Sequence, residues 1–317
     1  MAWFEGFERQ TLTVAGLPVC FRRSADWAAQ AHLPVLVLLH GFPQTHVMWQ
    51  RVAQNLRGRY RLVMPDLRGY GDSSHAVGDA EHAHYSKRAM AQEVVGLLDA
   101  LGVGDFFLCG HDRGGRVAHR LALDHPGRLQ RLCVIDIAPT FDMYAATDMA
   151  FARAYYHWFH LIQPAPLPET MIGGDARAYL NAKLGGWGAG GLSHIEPGAL
   201  AEYERCFCRP EAIHSACEDY RASAGIDLEH DRASRERGEK IACDTLVLWG
   251  AKGVVQKLFD PLALWRAQCA ATVSGHAMDA GHFIPEELPE ATAAELLAEG
   301  AEAVAGDTIR LKELLDG

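Results

Sequence analysis

No stretch of this sequence is long and apolar enough to cross a bilayer, so no membrane association is expected; the longest aliphatic run near the start, Val35 to Leu39, has the length of a buried strand. Basic residues are in deficit, 30 Lys and Arg against 40 Asp and Glu, which leaves a net charge of −10. A nucleic-acid partner would need a basic surface, so none is expected. The same deficit means that an anionic ligand gets no help from the overall field and must be met by local cations. The eight cysteines, at positions 20, 109, 133, 206, 208, 217, 243 and 269, show neither zinc spacing nor a compact disulfide framework. They read as reduced thiols of a cytoplasmic protein. The sixteen histidines do not cluster at metal spacing, and no metal or cofactor is called for. The first ten residues carry Glu5, Glu8 and Arg9 without an apolar core, so no signal peptide is expected. Internal repeats and low-complexity linkers are also missing.

What is present is a strand–helix alternation. Thr11–Val14 and Val19–Arg22 alternate like an edge hairpin around Gly16. Val35–Leu39, Leu62–Met64, Phe106–Cys109, Leu132–Ile137 and Thr245–Trp249 are short β-rich runs of the kind that a doubly covered parallel strand needs. Between them lie helical patterns, Ser86–Leu101 and Arg116–Asp124. Strands alternating with helices predict an α/β fold, a mostly parallel sheet with helices on both faces and right-handed crossovers. The rhythm breaks between Pro139 and Ala242, a stretch rich in Tyr, Trp, His, Gly and Pro with helical patches at Met149–Leu161, Ala199–Phe207 and Pro210–Ala222. This predicts three parts: residues 1–140 and 242–317 as two halves of one core, and 141–241 as a helical cap over the carboxyl ends of the strands, where such sheets bind ligands. The tail, Glu290 to Leu315, reads as helix broken near Gly306.

Gly110-His111-Asp112-Arg113-Gly114 has the G-x-nucleophile-x-G layout of a nucleophile elbow, with a strand before it and a helix after it. The glycines permit the sharp turn that lifts residue 112 out of the sheet at a helix N-terminus. Serine there would suit acyl transfer. Aspartate suits attack on a saturated carbon, giving an ester of the enzyme, and needs no base to ionise it. Asp is also a favoured helix N-cap, but a cap does not require glycines on both sides.

His40-Gly41-Phe42-Pro43 follows the first parallel strand, and in this layout the backbone N–H groups of Phe42 and Arg113 form an oxyanion hole. Ala280-Gly281-His282-Phe283 lies after the last strand, where His282 would deprotonate a hydrolytic water, with His276 as the nearest rival. The partner of that histidine is open between Asp136, at the end of Leu132–Ile137, and Asp260; Gly250-Ala251-Lys252-Gly253 has no acid. Asp136 is the preferred choice, fixing the tautomer and stabilising the imidazolium. Arg113 and Arg116 stand three apart at a helix start, against the macrodipole, which suggests that an anion is expected there; a guanidinium suits a carboxylate.

His40-Gly-Phe-Pro-Gln, Asp66-Leu-Arg-Gly-Tyr-Gly-Asp-Ser, Gly110-His-Asp-Arg-Gly-Gly-Arg, Asp136-Ile-Ala-Pro-Thr, Tyr156-His-Trp-Phe and Asp219-Tyr-Arg-Ala together resemble the fluoroacetate (haloacetate) dehalogenases of the α/β-hydrolase superfamily. The resemblance covers nearly the whole chain. It implies hydrolysis of a small haloacid, with Asp112 as nucleophile, His282 as base, Asp136 as its partner, and Arg113 and Arg116 on the substrate carboxylate. It further implies a halide pocket of His157, Trp158 and Tyr220, with Trp187 lining the site from the cap, and a homodimer. Fluoride is a hard, poor leaving group, and an imidazole N–H, an indole N–H and a phenol O–H are three donors suited to it. Two other readings stand beside it. One is an epoxide hydrolase with the same Asp–His pair; the other is a non-catalytic receptor for a small acid.

Overall fold

The computed structural model describes residues 3–298 and 300. Eight strands form one sheet: β1 (Phe7–Val14), β2 (Leu17–Ser24), β3 (Val35–Leu39), β4 (Arg61–Pro65), β5 (Phe106–His111), β6 (Leu129–Ile135), β7 (Asp244–Gly250) and β8 (Val273–Met278). Their order is β1-β2-β4-β3-β5-β6-β7-β8. The β1–β2 and β2–β4 pairs are antiparallel, and every pair from β4 through β3 to β8 is parallel. Burial follows position. β3 and β5, in the middle, are buried at every residue, while the edge strand β1 alternates, as a one-sided strand should.

Helices α1 (Gln50–Leu56), α2 (Lys87–Ala100), α3 (Arg113–Asp124), α12 (Val254–Leu258), α13 (Pro261–Gln268) and α14 (Ile284–Glu287) belong to the layers around the sheet. Ser86 caps α2 by accepting from the Ala89 N–H at 3.1 Å. Met90, Val94, Leu97 and Leu98 form its buried stripe. The helix after the elbow starts at Arg113, three residues before the sequence pattern begins. Gly114 and Gly115 hide its first turn from a propensity argument. They are there for packing, since a Cβ on Gly114 would lie 2.4 Å from the His40 carbonyl oxygen.

Between β6 and β7 the chain is helical: α4 (Thr140–Ala145), α5 (Met149–Ala154), α6 (Tyr156–Leu161), α7 (Leu167–Gly173), α8 (Ala176–Trp187), α9 (Pro197–Phe207), α10 (Pro210–Ala224) and α11 (Ile226–Glu236). The expected Met149–Leu161 helix is two helices. They meet at Tyr155, whose φ of −112° and ψ of 36° leave the helical region. That break changes which faces are inside: Tyr155, His157 and Trp158 are buried while Tyr156 is 49% exposed. The tail is helical over residues 289–298, and the expected break near Gly306 lies outside the described residues. Among the described residues no helix is long and apolar enough to cross a membrane.

Candidate active site

Three loops at the carboxyl ends of β5, β6 and β8 bring Asp112, Asp136 and His282 together. Asp112 follows β5 with φ 47° and ψ −115°, a conformation rare for a residue with a side chain. A Cβ on Gly41 would fall 2.5 Å from the Asp112 Cβ, so the His40-Gly41-Phe42 loop can press against the elbow only with glycine there. The approach lets the Phe42 N–H donate to Asp112 Oδ1 at 2.8 Å. Phe42 is the one of the two expected backbone donors that is bonded to the resting carboxylate. Asp112 Oδ2 takes no hydrogen bond from the described residues. Burial works to raise the Asp112 pKa, but His282, His111, Arg116 and Arg113 outweigh it and hold the carboxyl below its ordinary value.

His282 places Nδ1 2.6 Å from Asp136 Oδ2, and the Gly250 N–H donates to Asp136 Oδ1 at 2.9 Å. Burial alone would lower the His282 pKa; the bond to Asp136 and the charges of Asp136 and Asp112 carry it above the ordinary histidine value. His111, held near pKa 3 by burial and by His282, stays neutral and sets Nε2 2.8 Å from the His282 carbonyl. The two rivals lie elsewhere. Asp260 caps α13 through the Ala263 N–H at 3.0 Å, and His276 is exposed on β8 beside Glu295.

Arg113 and Arg116 project from the first turn of α3 and are both buried. Their surroundings differ. Asp219 takes Arg113 Nε at 2.8 Å and Nη2 at 2.7 Å, while Tyr220 lies beneath the guanidinium, 4.2 Å from its centre. Asp219 also accepts from Tyr70 at 2.7 Å and from Lys87, so one carboxylate serves two cations. Arg116 has no carboxylate partner among the described residues. Its Nη1 donates to Thr140 Oγ1 at 2.9 Å and to the Ala138 carbonyl at 3.2 Å, and Trp158 lies 4.7 Å beneath.

His157, Trp158 and Tyr220 meet next to this pair. The His157 and Tyr220 ring centres are 5.5 Å apart, and those of Trp158 and Tyr220 are 6.5 Å apart. Burial, with Lys183, His282 and the arginines adding to it, keeps His157 far below its usual pKa and neutral. Burial raises the Tyr220 pKa, so its phenol keeps its proton. Buried polar atoms without a hydrogen-bond partner gather here: Arg113 Nη1, Arg116 Nε, His157 Nδ1, Trp158 Nε1 and the Tyr144 hydroxyl. Each such atom costs about 1–3 kcal/mol, a cost that a folded chain rarely carries several times in one place without a use.

A cavity of about 130 Å³ opens onto Asp112, Asp136 and His282. Tyr155, His157 and Trp187 wall it from the helical insertion, and the exposed Lys252 and Lys257 stand at its margin. Arg113, Arg116, Trp158 and Tyr220 do not line this cavity; they pack against one another beside it. Tyr144, Tyr155 and Asp219 are site residues for which the sequence offered no role. Asp219 opens a quoted motif and Tyr155 stands just before another, and only the long-range pairing and the helix break reveal their position. Among the described residues one other group of ligand-type side chains, Asp72, Glu202 and Cys206, comes together, with Asp72 and Glu202 already paired to Arg205.

Residues 34–287 match the family described as alpha/beta hydrolase fold. A fluoroacetate dehalogenase of Burkholderia sp is 43% identical over 92% of this chain and 92% of its own. A soluble epoxide hydrolase of Corynebacterium sp. (strain C12) is 30% identical over 80% of this chain and 86% of its own. Among solved structures, an α/β hydrolase from Nostoc sp PCC 7120 superposes with a TM-score of 0.88 at 49% identity, covering 92% of this chain and 97% of that one. A family match across most of the chain, on a sheet of this order with its elbow after β5, makes this protein a member of the α/β-hydrolase family.

Proposed function

We propose that the chain hydrolyses the carbon–halogen bond of small 2-haloacids, with fluoroacetate giving glycolate and fluoride, and that the helical insertion serves as the cap that keeps the site dry. The observation that carries this is the buried Arg116 guanidinium. Among the described residues it has no carboxylate partner, and it stands beside an ionised Asp112 and the unengaged donors of His157, Trp158 and Tyr144. A substrate carboxylate on Arg116 and Arg113 puts the α-carbon near Asp112 and the halogen toward His157, Trp158 and Tyr220. Similarity to a fluoroacetate dehalogenase supports the same assignment.

In the first step Asp112 Oδ2 forms a bond to the α-carbon while the carbon–fluorine bond breaks, and fluoride leaves with the electron pair. The donors stabilise the charge as it develops. In the second step water attacks the Asp112 ester carbonyl and His282 takes the proton. The backbone N–H groups of Phe42 and Arg113 hold the oxyanion, and Asp136 stabilises the imidazolium. Collapse expels the glycolate oxygen, which takes the proton from His282 and leaves Asp112 as the acid; its remaining proton passes to the freed His282 and on to solvent, which restores the carboxylate. No metal or cofactor enters. A cytoplasmic setting and a homodimer belong to the same proposal.

Tyr155 keeps the epoxide-hydrolase reading in play, because with Tyr220 it places two buried phenols at the site. A neutral epoxide leaves Arg116 without a purpose, which favours the haloacid. The test is fluoride release from fluoroacetate beside diol formation from a small epoxide, for the parent chain and Asp112→Asn. We expect fluoride and no diol, and a loss of at least about 1000-fold in the variant. Diol without fluoride, or full fluoride release by the variant, would overturn the assignment.

A further inference from the structure

We infer that Glu287 is the positioning residue that locks the His282 loop to the helical insertion, so that the base is aimed only while the Trp187–Ala189 segment is seated. This rests on the dehalogenase reading. The Glu287 carboxylate accepts three backbone N–H bonds: from Gly281 at 2.8 Å and Phe283 at 3.0 Å, the residues on either side of the base, and from Ala189 of the insertion at 3.0 Å. Charge-assisted bonds of this kind are stronger than neutral ones. The two segments also touch directly, since the His282 N–H donates to the Trp187 carbonyl at 2.9 Å. Their approach needs the glycine of Ala280-Gly281-His282: a Cβ there would lie 2.6 Å from both the Ala189 nitrogen and the Trp187 oxygen. Phe283 stacks on His194 at 5.3 Å and on Trp187 at 6.3 Å, which extends the joint. Glu287 does not line the cavity, so it acts through the loop and not on the substrate.

The two chemical steps depend on this joint unequally. Attack by Asp112 needs no base, whereas hydrolysis of the ester needs His282 directed at a water. Asp136 fixes one ring nitrogen of His282, and the backbone of the ring is held by Glu287 and by the insertion. Loosening that backbone therefore slows the second step and spares the first.

The test is steady-state kinetics of the full chain with fluoroacetate, with intact-protein mass spectrometry on samples quenched during turnover. In Glu287→Gln, an amide NH₂ replaces one acceptor oxygen and faces the N–H donors. The expected result is a kcat about tenfold lower or less, KM falling with it, kcat/KM held within about twofold, and the Asp112 ester visible as added mass. Gly281→Ala, which drives the two segments apart, gives the same signature by another route. A fall in kcat/KM that matches the fall in kcat with no ester, or an unchanged kcat in both variants, overturns the role of Glu287. His282→Ala separates the levels. If it accumulates ester and the Glu287 variant does not, only the positioning role is lost; if it accumulates none, the dehalogenase reading is lost as well.

Discussion

Two arginines three residues apart stand in different electrostatic surroundings because their partners differ. Arg113 is bound by both oxygens of Asp219, and its charge is already offset within the fold. Arg116 rests on a hydroxyl, a carbonyl, a thioether and an indole face, none of which carries a charge. A buried cation with no carboxylate hydrogen-bonded to it is costly to the folded chain and favourable to a bound anion. Arg116→Ala is therefore expected to raise KM for fluoroacetate by about 100-fold, two charge-assisted hydrogen bonds being lost. An unchanged KM would remove Arg116 from the carboxylate clamp. The spacing of the arginines was legible in the sequence; their inequality was not. It is set by Asp219, which stands 106 residues from Arg113 along the chain and looks like any other helical acid.

At the scale of elements, the strands and the elbow could be read because their signals are local. Five short β-rich runs mark five of the parallel strands, and glycines stand on either side of the Asp112 elbow. The insertion was only partly legible. α7, α8 and α11 had no pattern clear enough to place, and the long helix expected over Met149–Leu161 divides at Tyr155. That division decides which aromatics reach the site, and it follows from tertiary packing that outweighs helical periodicity. The choice between Asp136 and Asp260 is also an element question. Asp136 directly follows β6 and faces His282, while Asp260 is the N-cap of α13 and satisfies its first turn. Asp260→Ala should cost about 1 kcal/mol of stability by chemical denaturation, the usual worth of an N-cap, and leave turnover unchanged. Loss of turnover at full stability would return Asp260 to the catalytic set.

The whole molecule carries a net charge of −10, yet its site gathers cations around one ionised aspartate. The sheet makes that possible. Residues from the ends of β5, β6 and β8 meet under an insertion that enters between β6 and β7, so the proposed nucleophile, its two catalytic partners and the halide donors come from four separated stretches of chain. Composition gave the net negative charge at this scale, but it could not show that the local field opposes the global one. The chemistry assigned to the assembly turns on one event, the transient esterification of Asp112. A single turnover of fluoroacetate in ¹⁸O-labelled water, with enzyme in excess, tests it most directly. The label is predicted to enter the Asp112 carboxylate, found by peptide mass, and the glycolate of that first turnover is predicted to be unlabelled. Label appearing at once in glycolate, with an unlabelled Asp112, would mean that water attacks the carbon itself and would contradict the account.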